Sequence, residues 1–246
     1  MDPLLTFNFK TDLLNIPIPQ KLNNPFGPEV PEIAKIAARE FQSFMTTEFQ
    51  NGGYDFLSHD GKMYGVLVVQ AADQSFSYLG TVSGKLPKNA PTTQFIPSIF
   101  DDSKSDFFLF KGMTEVSKIV RQIRSSKNPD EVVALKEKSK KKSISIQKQL
   151  FESYNFLNLS GHTKNLIDIF KESTHGNPPA AAGECAGPKL LQYAISHRLK
   201  PIALTEFWWG NKNKERKHKL FYPACKNRCR PILEYMLEDN ALFDER

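Results

Sequence analysis

The sequence is short of several features that would assign it quickly. It holds three cysteines in 246 residues: Cys185, Cys225 and Cys229. An odd, low count argues against a disulfide framework and for reduced thiols. No run reaches the roughly 18 apolar residues of a membrane-spanning helix, so no membrane partner is expected. The opening residues, MDPLLTFNFKTD, carry acids early and lack the basic-then-apolar order of a secretory signal. The expected compartment is therefore the cytoplasm. There is no phosphate loop of the Gly-x4-Gly-Lys-Ser/Thr type, no internal repeat, and no legible pairing of a serine or threonine nucleophile with a base. Net charge is also small: 33 Lys+Arg against 27 Asp+Glu, or +6 with His neutral.

What is present is globular in proportion. Hydrophobic residues make up 40% and charged residues 24%, which argues against wholesale disorder. The length suits one domain with an insertion, or two small ones. The modest charge is unevenly placed. Residues 111–150 hold 11 basic and 4 acidic side chains, and residues 211–230 hold 8 and 1. Each segment is thus +7, and the remainder of the chain is net acidic. The second segment contains Lys212, Lys214, Arg216, Lys217, Lys219, Lys226, Arg228 and Arg230. Dense cations beside aromatic rings suit a nucleic acid, because charge binds phosphates and flat rings stack bases. The competing reading is a solvated helix face and a soluble loop.

The pattern of apolar residues predicts an α/β fold, a small sheet flanked by helices with a long helical insertion. Residues 1–30 (with IPIPQKLNNPFGP) read as an extended lead-in. Residues 31–110 read as the first half of the domain. Within it, Ile33, Ile36, Ala37, Phe41 and Phe44 mark a helix over 31–48, with Pro31 suited to the first turn. Lys62–Gln70 and Ser75–Lys85 read as two strands joined in a hairpin. From Gly112 to about Phe170 long helices are expected, broken at Asn128-Pro129-Asp130, so residues 111–173 form the insertion. Residues 174–246 complete the α/β domain, with a helix over Glu184–Arg198, a strand over Ile202–Trp209 and a last helix over Tyr222–Leu237. Pro231 sits awkwardly in that last helix.

The cysteines are the strongest chemical lead. Cys225 and Cys229 are spaced i, i+4 and share a face on a helix. Cys185 falls at the start of another predicted helix, where the dipole favours a thiolate. Together they fit one zinc ion, which prefers tetrahedral thiolate ligation at about 2.3 Å. Three small buried side chains are the competing reading. With three protein ligands the fourth position is open and a bound water would be activated; a fourth ligand from His175, His197, His218 or Glu184 would close it. Glu184 and Glu206 are the candidate catalytic carboxylates. Glu206 lies inside the apolar run IALTEFWW, either facing solvent or aimed at the metal as a proton carrier. Lys189 shares a helical face with Cys185 and either offsets thiolate charge or is solvated. Phe207 and Trp209 would lie on one face of the strand and Trp208 on the other. One of Trp208 and Trp209 is expected to be exposed beside the basic loop as a stacking platform, the other reading being that both are packed.

A cysteine on a helix after a loop, then a strand, then two cysteines opening a further helix resembles the zinc-dependent cytidine deaminase fold. That family carries His/Cys-x-Glu on its first motif helix and Pro-Cys-x-x-Cys on its second. The sequence departs from it twice. Gly187 stands where the family's glutamate would be, and Pro223-Ala-Cys225-Lys-Asn-Arg-Cys229 has one more residue between its cysteines. A longer resemblance is carried by GKMYGVLVVQ (61–70), YLGTVSGKL (78–86), LFESYNFLNLSGHTKNLIDIF (150–170), GNPPAAAGECAGPKLLQYA (176–194), LKPIALTEFWWG (199–210) and FYPACKNRC (221–229). These blocks are similar to the N-terminal region of long bacterial RluA-type pseudouridine synthases. The resemblance implies association with RNA and with a synthase domain or subunit. It implies no synthase activity in the chain itself, because the Gly-Arg-Leu-Asp type motif is missing. An RNA-associated accessory domain is therefore the first expectation. A zinc-dependent nucleobase deaminase or related hydrolase is the second, and a protein-interaction module working through the 112–170 helices is the third.

Overall fold

The computed structural model describes residues 4–53, 61–85, 94–100, 102–213 and 215–238, with 102–107 described by their backbone. Lys214, one of the expected nucleic-acid contacts, lies outside the described residues.

The elements run β1 (Phe7–Asn8), α1 (Glu32–Asn51), β2 (Lys62–Gln70), β3 (Phe76–Val82), α2 (Asp102–Ser125), α3 (Pro129–Glu152), β4 (Asn155–Leu157), β5 (Thr163–Asn165), α4 (Leu166–Glu172), α5 (Ala186–Ser196), β6 (Lys200–Trp209), β7 (Phe221–Tyr222) and α6 (Arg230–Met236). Five strands form an antiparallel sheet in the order β1-β3-β2-β6-β7, and β4 and β5 form a separate two-stranded hairpin. The expected mixed α/β arrangement is therefore present.

The central strands are read easily because both of their faces are covered. Met63 to Val69 of β2 are all buried, which is why KMYGVLVVQ is an unbroken apolar run rather than an alternating one. Even-numbered side chains of β2 (Tyr64, Val66, Val68) join α1 in one core with Phe41, Met45, Phe207 and Trp209. Odd-numbered ones (Leu67, Val69) join α5, α4 and α6 in the other, with Leu204, Leu190, Leu191, Ile232 and Leu233. The sheet is thus the middle of three layers. Gly80 makes the first layer fit: a Cβ there would lie 2.4 Å from the Phe41 ring. The β2–β3 turn closes as expected, with Ala71 N–H donating to Ser75 O and Gln74 taking a positive φ of 68°.

Three expectations are corrected. First, α2 begins at Asp102 rather than near Gly112, because the helical pattern of the aromatic 102–110 stretch was hidden by its Phe-rich composition. Second, residues 153–165 are not helical. Asn165 explains this: its Nδ2 donates to the carbonyls of Glu152 and Tyr154, and its Oδ1 accepts from Ile167 N to cap α4. The β4–β5 turn is closed by Asn158, whose Oδ1 accepts from His162 N, and by Gly161 at φ 82°. Third, the last helix begins at Arg230, not Tyr222. Pro231 then falls in the first turn, where its missing N–H costs nothing. Asn128 does cap α3, accepting from Asp130 N and Glu131 N.

The lead-in is more than a spacer. Phe7–Asn8 pairs with Tyr78–Ser77 as an edge strand. Asn23 then covers the β6 edge beyond the short β7: its side chain donates to Leu204 O at 3.0 Å and accepts from Leu204 N at 2.8 Å. One amide side chain thereby stands in for a missing strand.

Candidate metal centre

The end of the sheet where α5 and α6 start brings the three cysteines together. Cys185 is the residue before α5 and Cys229 the residue before α6. Cys225 sits one turn earlier, with Cys229 N–H donating to its carbonyl at 3.3 Å. The Cys225 and Cys229 sulfurs are 3.3 Å apart, the Cys185 and Cys225 sulfurs 4.0 Å, and all three lie within 4.8 Å of one another. Two sulfurs bound at about 2.3 Å to one tetrahedral ion are about 3.8 Å apart, so small shifts would seat a metal. Cys185 and Cys229 are buried and Cys225 is half-buried.

Close packing couples the three thiols. The Cys225 thiol is held far below its ordinary value by hydrogen bonds from Cys185 and Cys229. The same sharing pushes the Cys185 and Cys229 thiols up, assisted by burial. A pocket that already favours one thiolate suits a soft cation. Three sulfur donors match zinc and exclude the all-oxygen coordination of magnesium or calcium. Among the described residues, no other His, Cys, Asp or Glu joins this group. The expected fourth-ligand candidates are engaged elsewhere. His197 stacks on Tyr193 with centroids 3.9 Å apart, His218 packs against Trp209, and His175 lies edge-on to Phe170.

Glu206 lies near this centre without joining the sulfur group, and Glu184 faces elsewhere. Glu206 is 5% exposed and projects from β6 toward α5. Its Oε1 accepts from Gly187 N at 3.0 Å. That bond answers a need of α5. The residue before the helix, Cys185, makes no capping bond with its side chain, so an amide of the first turn must find another acceptor. A carboxylate there also meets the positive end of the helix. Burial nevertheless pushes the Glu206 carboxyl up to about 7, with the Cys225 thiolate adding to the rise and the Gly187 N–H and Arg216 opposing it. The approach depends on small residues: a Cβ on Gly65, opposite Glu206 on β2, would lie 2.9 Å from Ala186 Cβ, and one on Gly187 would lie 3.3 Å from Glu206 Oε1. Glu206 also lines a cavity of about 190 Å³ between the lead-in (Asn23 to Val30) and Phe221 to Ala224. Ala224, the residue before Cys225 in the chain, also lines it.

Glu184 faces the other way, into a structural lock. It receives hydrogen bonds from the Tyr154 hydroxyl and from Ser98 Oγ (3.1 Å), and pairs with Lys189 Nζ at 3.4 Å. Lys189 is itself 2% exposed and donates to the carbonyls of Val82 (3.1 Å) and Gly84 (2.9 Å). The expectation of a solvated lysine is therefore corrected, and Glu184 holds the end of β3 to the start of α5 rather than facing the cavity. The sequence signal for this was present in AGPKLLQY, where one lysine interrupts an apolar face. Nothing in IPIPQKLNNPFGP signalled the role of Asn23.

The tryptophans are also corrected. Trp208 and Trp209 do lie on opposite faces, yet they are only 6% and 2% exposed. The reason is the loop after β6, which folds back on them. Trp208 Nε1 donates to Asn211 O, Lys219 N–H donates to Trp208 O, and Trp208 N–H donates to Leu220 O. Arg216 covers the Trp208 ring at 5.3 Å and Lys219 the Trp209 ring at 5.4 Å. Neither ring is available to stack a base. The cations remain at the surface: Lys212, Lys217, Lys219 and Arg228 are exposed and Arg216 is half-buried.

Comparisons with protein families, with curated proteins and with solved structures found no match to the chain. Among the described residues, no helix is long and apolar enough to cross a membrane.

Proposed function

We propose that this chain is a zinc-binding α/β domain with a deaminase-like scaffold, serving RNA modification as an accessory to an RluA-type pseudouridine synthase and lacking synthase activity of its own. The observation that carries the zinc reading is the convergence of Cys185 with the Cys225–Cys229 pair, 40 residues further along the chain, onto one point. The order of helix, two strands, helix, strand and helix around that point supports the deaminase-like scaffold. The cations of 212–228 support contact with a phosphate backbone. Metal analysis of the purified chain tests this first. About one zinc per chain is expected, and a chain that takes up no zinc from excess metal sinks the reading. Binding to an RNA transcript is the second test, with affinity falling steeply as salt rises.

The position of Glu206 favours a second reading, a zinc-dependent hydrolase of the nucleobase-deaminase type. Zinc with a free position supplies an activated water when bound. Glu206 is a buried carboxylate among the residues lining a cavity, held by one oxygen to Gly187 N, which supports a part in carrying a proton at its Oε atoms. It stands beside the helix position at which the resembling family keeps its glutamate. Release of ammonia from cytosine- or adenine-containing oligonucleotides, abolished by Glu206→Gln with zinc content unchanged, is the expected result. Equal activity in that variant would remove Glu206 from the chemistry.

A further inference from the structure

We propose that the α2–α3 hairpin is an arm that binds the phosphate backbone of double-helical RNA, separate from the basic loop after β6. The two helices run 24 residues each, or about 36 Å at 1.5 Å per residue. They are built to hold each other. Gly112 lets α3 approach closely, since a Cβ there would lie 2.7 Å from Ile146, and Lys142 pairs with Glu115 across the hairpin at 2.6 Å. Phe151 anchors the base of α3 in the main core. Beyond that base α3 buries only Ile146, so most of its surface is solvent-facing.

That surface is basic. Lys118, Arg121 and Arg124 on α2, with Lys136, Lys140 and Lys141 on α3, are all exposed. A merely solvated surface mixes both signs, whereas 111–150 carries 11 cations against 4 acids. The same segment contains no Phe, Tyr or Trp. Single-strand binders stack bases on successive aromatic rings; here Phe110, one residue before the basic stretch, is the exposed ring among the described residues of the hairpin, and none lies among the cations themselves. A duplex hides its bases and presents regularly spaced phosphates, which need only charge at the right reach. The exposed apolar residues do not make a membrane face. Between Val133 and Ile144 on α3 lie ten residues that include Lys136, Lys140 and Lys141, and Phe110 and Met113 on α2 span only one turn, whereas an interfacial helix needs a continuous apolar side.

The inference shares with the proposed function only the expectation of an RNA setting. It is tested on the full chain with a 20-base-pair RNA duplex, a DNA duplex of the same sequence, a single-stranded RNA of equal length and vesicles containing phosphatidylserine. The variants are K136E/K140E/K141E on the arm and R216A/K217A/K219A on the loop; circular dichroism and zinc content verify folding of each. The expected result is RNA-duplex binding weakened at least tenfold by the arm variant, with a log–log salt slope smaller by about three, and much less by the loop variant. Weaker binding to the DNA duplex is expected if the arm matches A-form geometry. Unchanged duplex binding in the arm variant overturns the inference. So does arm-dependent binding to vesicles with none to duplexes. In either case, single-stranded RNA binding lost in the loop variant leaves the proposed function standing.

Discussion

Residues 111–150 and 211–230 carry the same net charge and have opposite fates. In the first, the cations line two helices that bury little beyond Ile119 and Ile146. In the second, the chain folds back on itself, and Arg216 and Lys219 close over Trp208 and Trp209. The difference lies in the apolar residues between the charges. The second segment adjoins FWW at its start and contains Ala224, Cys225 and Cys229, so its basic loop is pinned at both ends to buried structure. The first has no such anchors over its outer half. Net charge by itself does not distinguish a free basic arm from a basic rim around a chemical site.

Breaking the pinned region should have the larger consequences. Cys229→Ser is expected to abolish stoichiometric zinc binding, because two thiolates no longer hold the ion against water. It should also lower the thermal midpoint of the zinc-loaded chain to that of the metal-free one, readable by differential scanning calorimetry. Glu206→Ala comes next. It leaves the Gly187 N–H of α5 without its buried acceptor, a loss of about 1–3 kcal/mol, measured by urea unfolding. Glu206→Gln keeps an oxygen for that N–H and should cost less.

The same carboxyl gives the pinned region a pH signature in the metal-free chain. Its folded value, about 7, lies above its ordinary 4.5. The folded state therefore holds the proton more tightly than the unfolded state. Glu206's contribution is fully present below about 4.5 and is lost as pH rises toward 7. Stability measured at intervals from pH 5 to 7.5 should fall more steeply in the native sequence than in Glu206→Gln. Parallel curves would contradict the burial argument.

The hairpin should be the tolerant partner in this comparison. Val133→Ala and Ile144→Ala alter residues that are 63% and 55% exposed, and are expected to change unfolding free energy by no more than about 0.5 kcal/mol. A large loss would mean that this surface packs against something in the folded chain. Gly112→Ala, which brings a Cβ against Ile146, should instead loosen the hairpin, seen as reduced helical ellipticity on mild heating.

Much of this was legible because periodicity and burial agree. β2 and β6 are mostly apolar since both faces are covered, and α1 shows one clean stripe. Cys185, Cys225 and Cys229 were legible as a group through chemistry, since thiols at two helix starts invite a shared ion. What was not legible depends on distant pairs. Glu206 meets Gly187 across 19 residues and Asn23 meets Leu204 across 181, and neither leaves a local pattern. The tryptophans were misjudged for a related reason. A strand's alternation tells which rings share a face, but only the returning loop decides whether a face is open. Tyr154 falls in the 112–170 stretch expected to be helical, yet it lies between α3 and β4 and its hydroxyl serves Glu184.

The central claim is that three thiols form one zinc site. Zinc K-edge X-ray absorption on the purified chain, with metal content measured on the same sample, tests it most directly. The account predicts about one zinc per chain with three sulfur neighbours near 2.3 Å and one lighter neighbour. A chain that binds no zinc, or zinc surrounded only by nitrogen and oxygen, would contradict it.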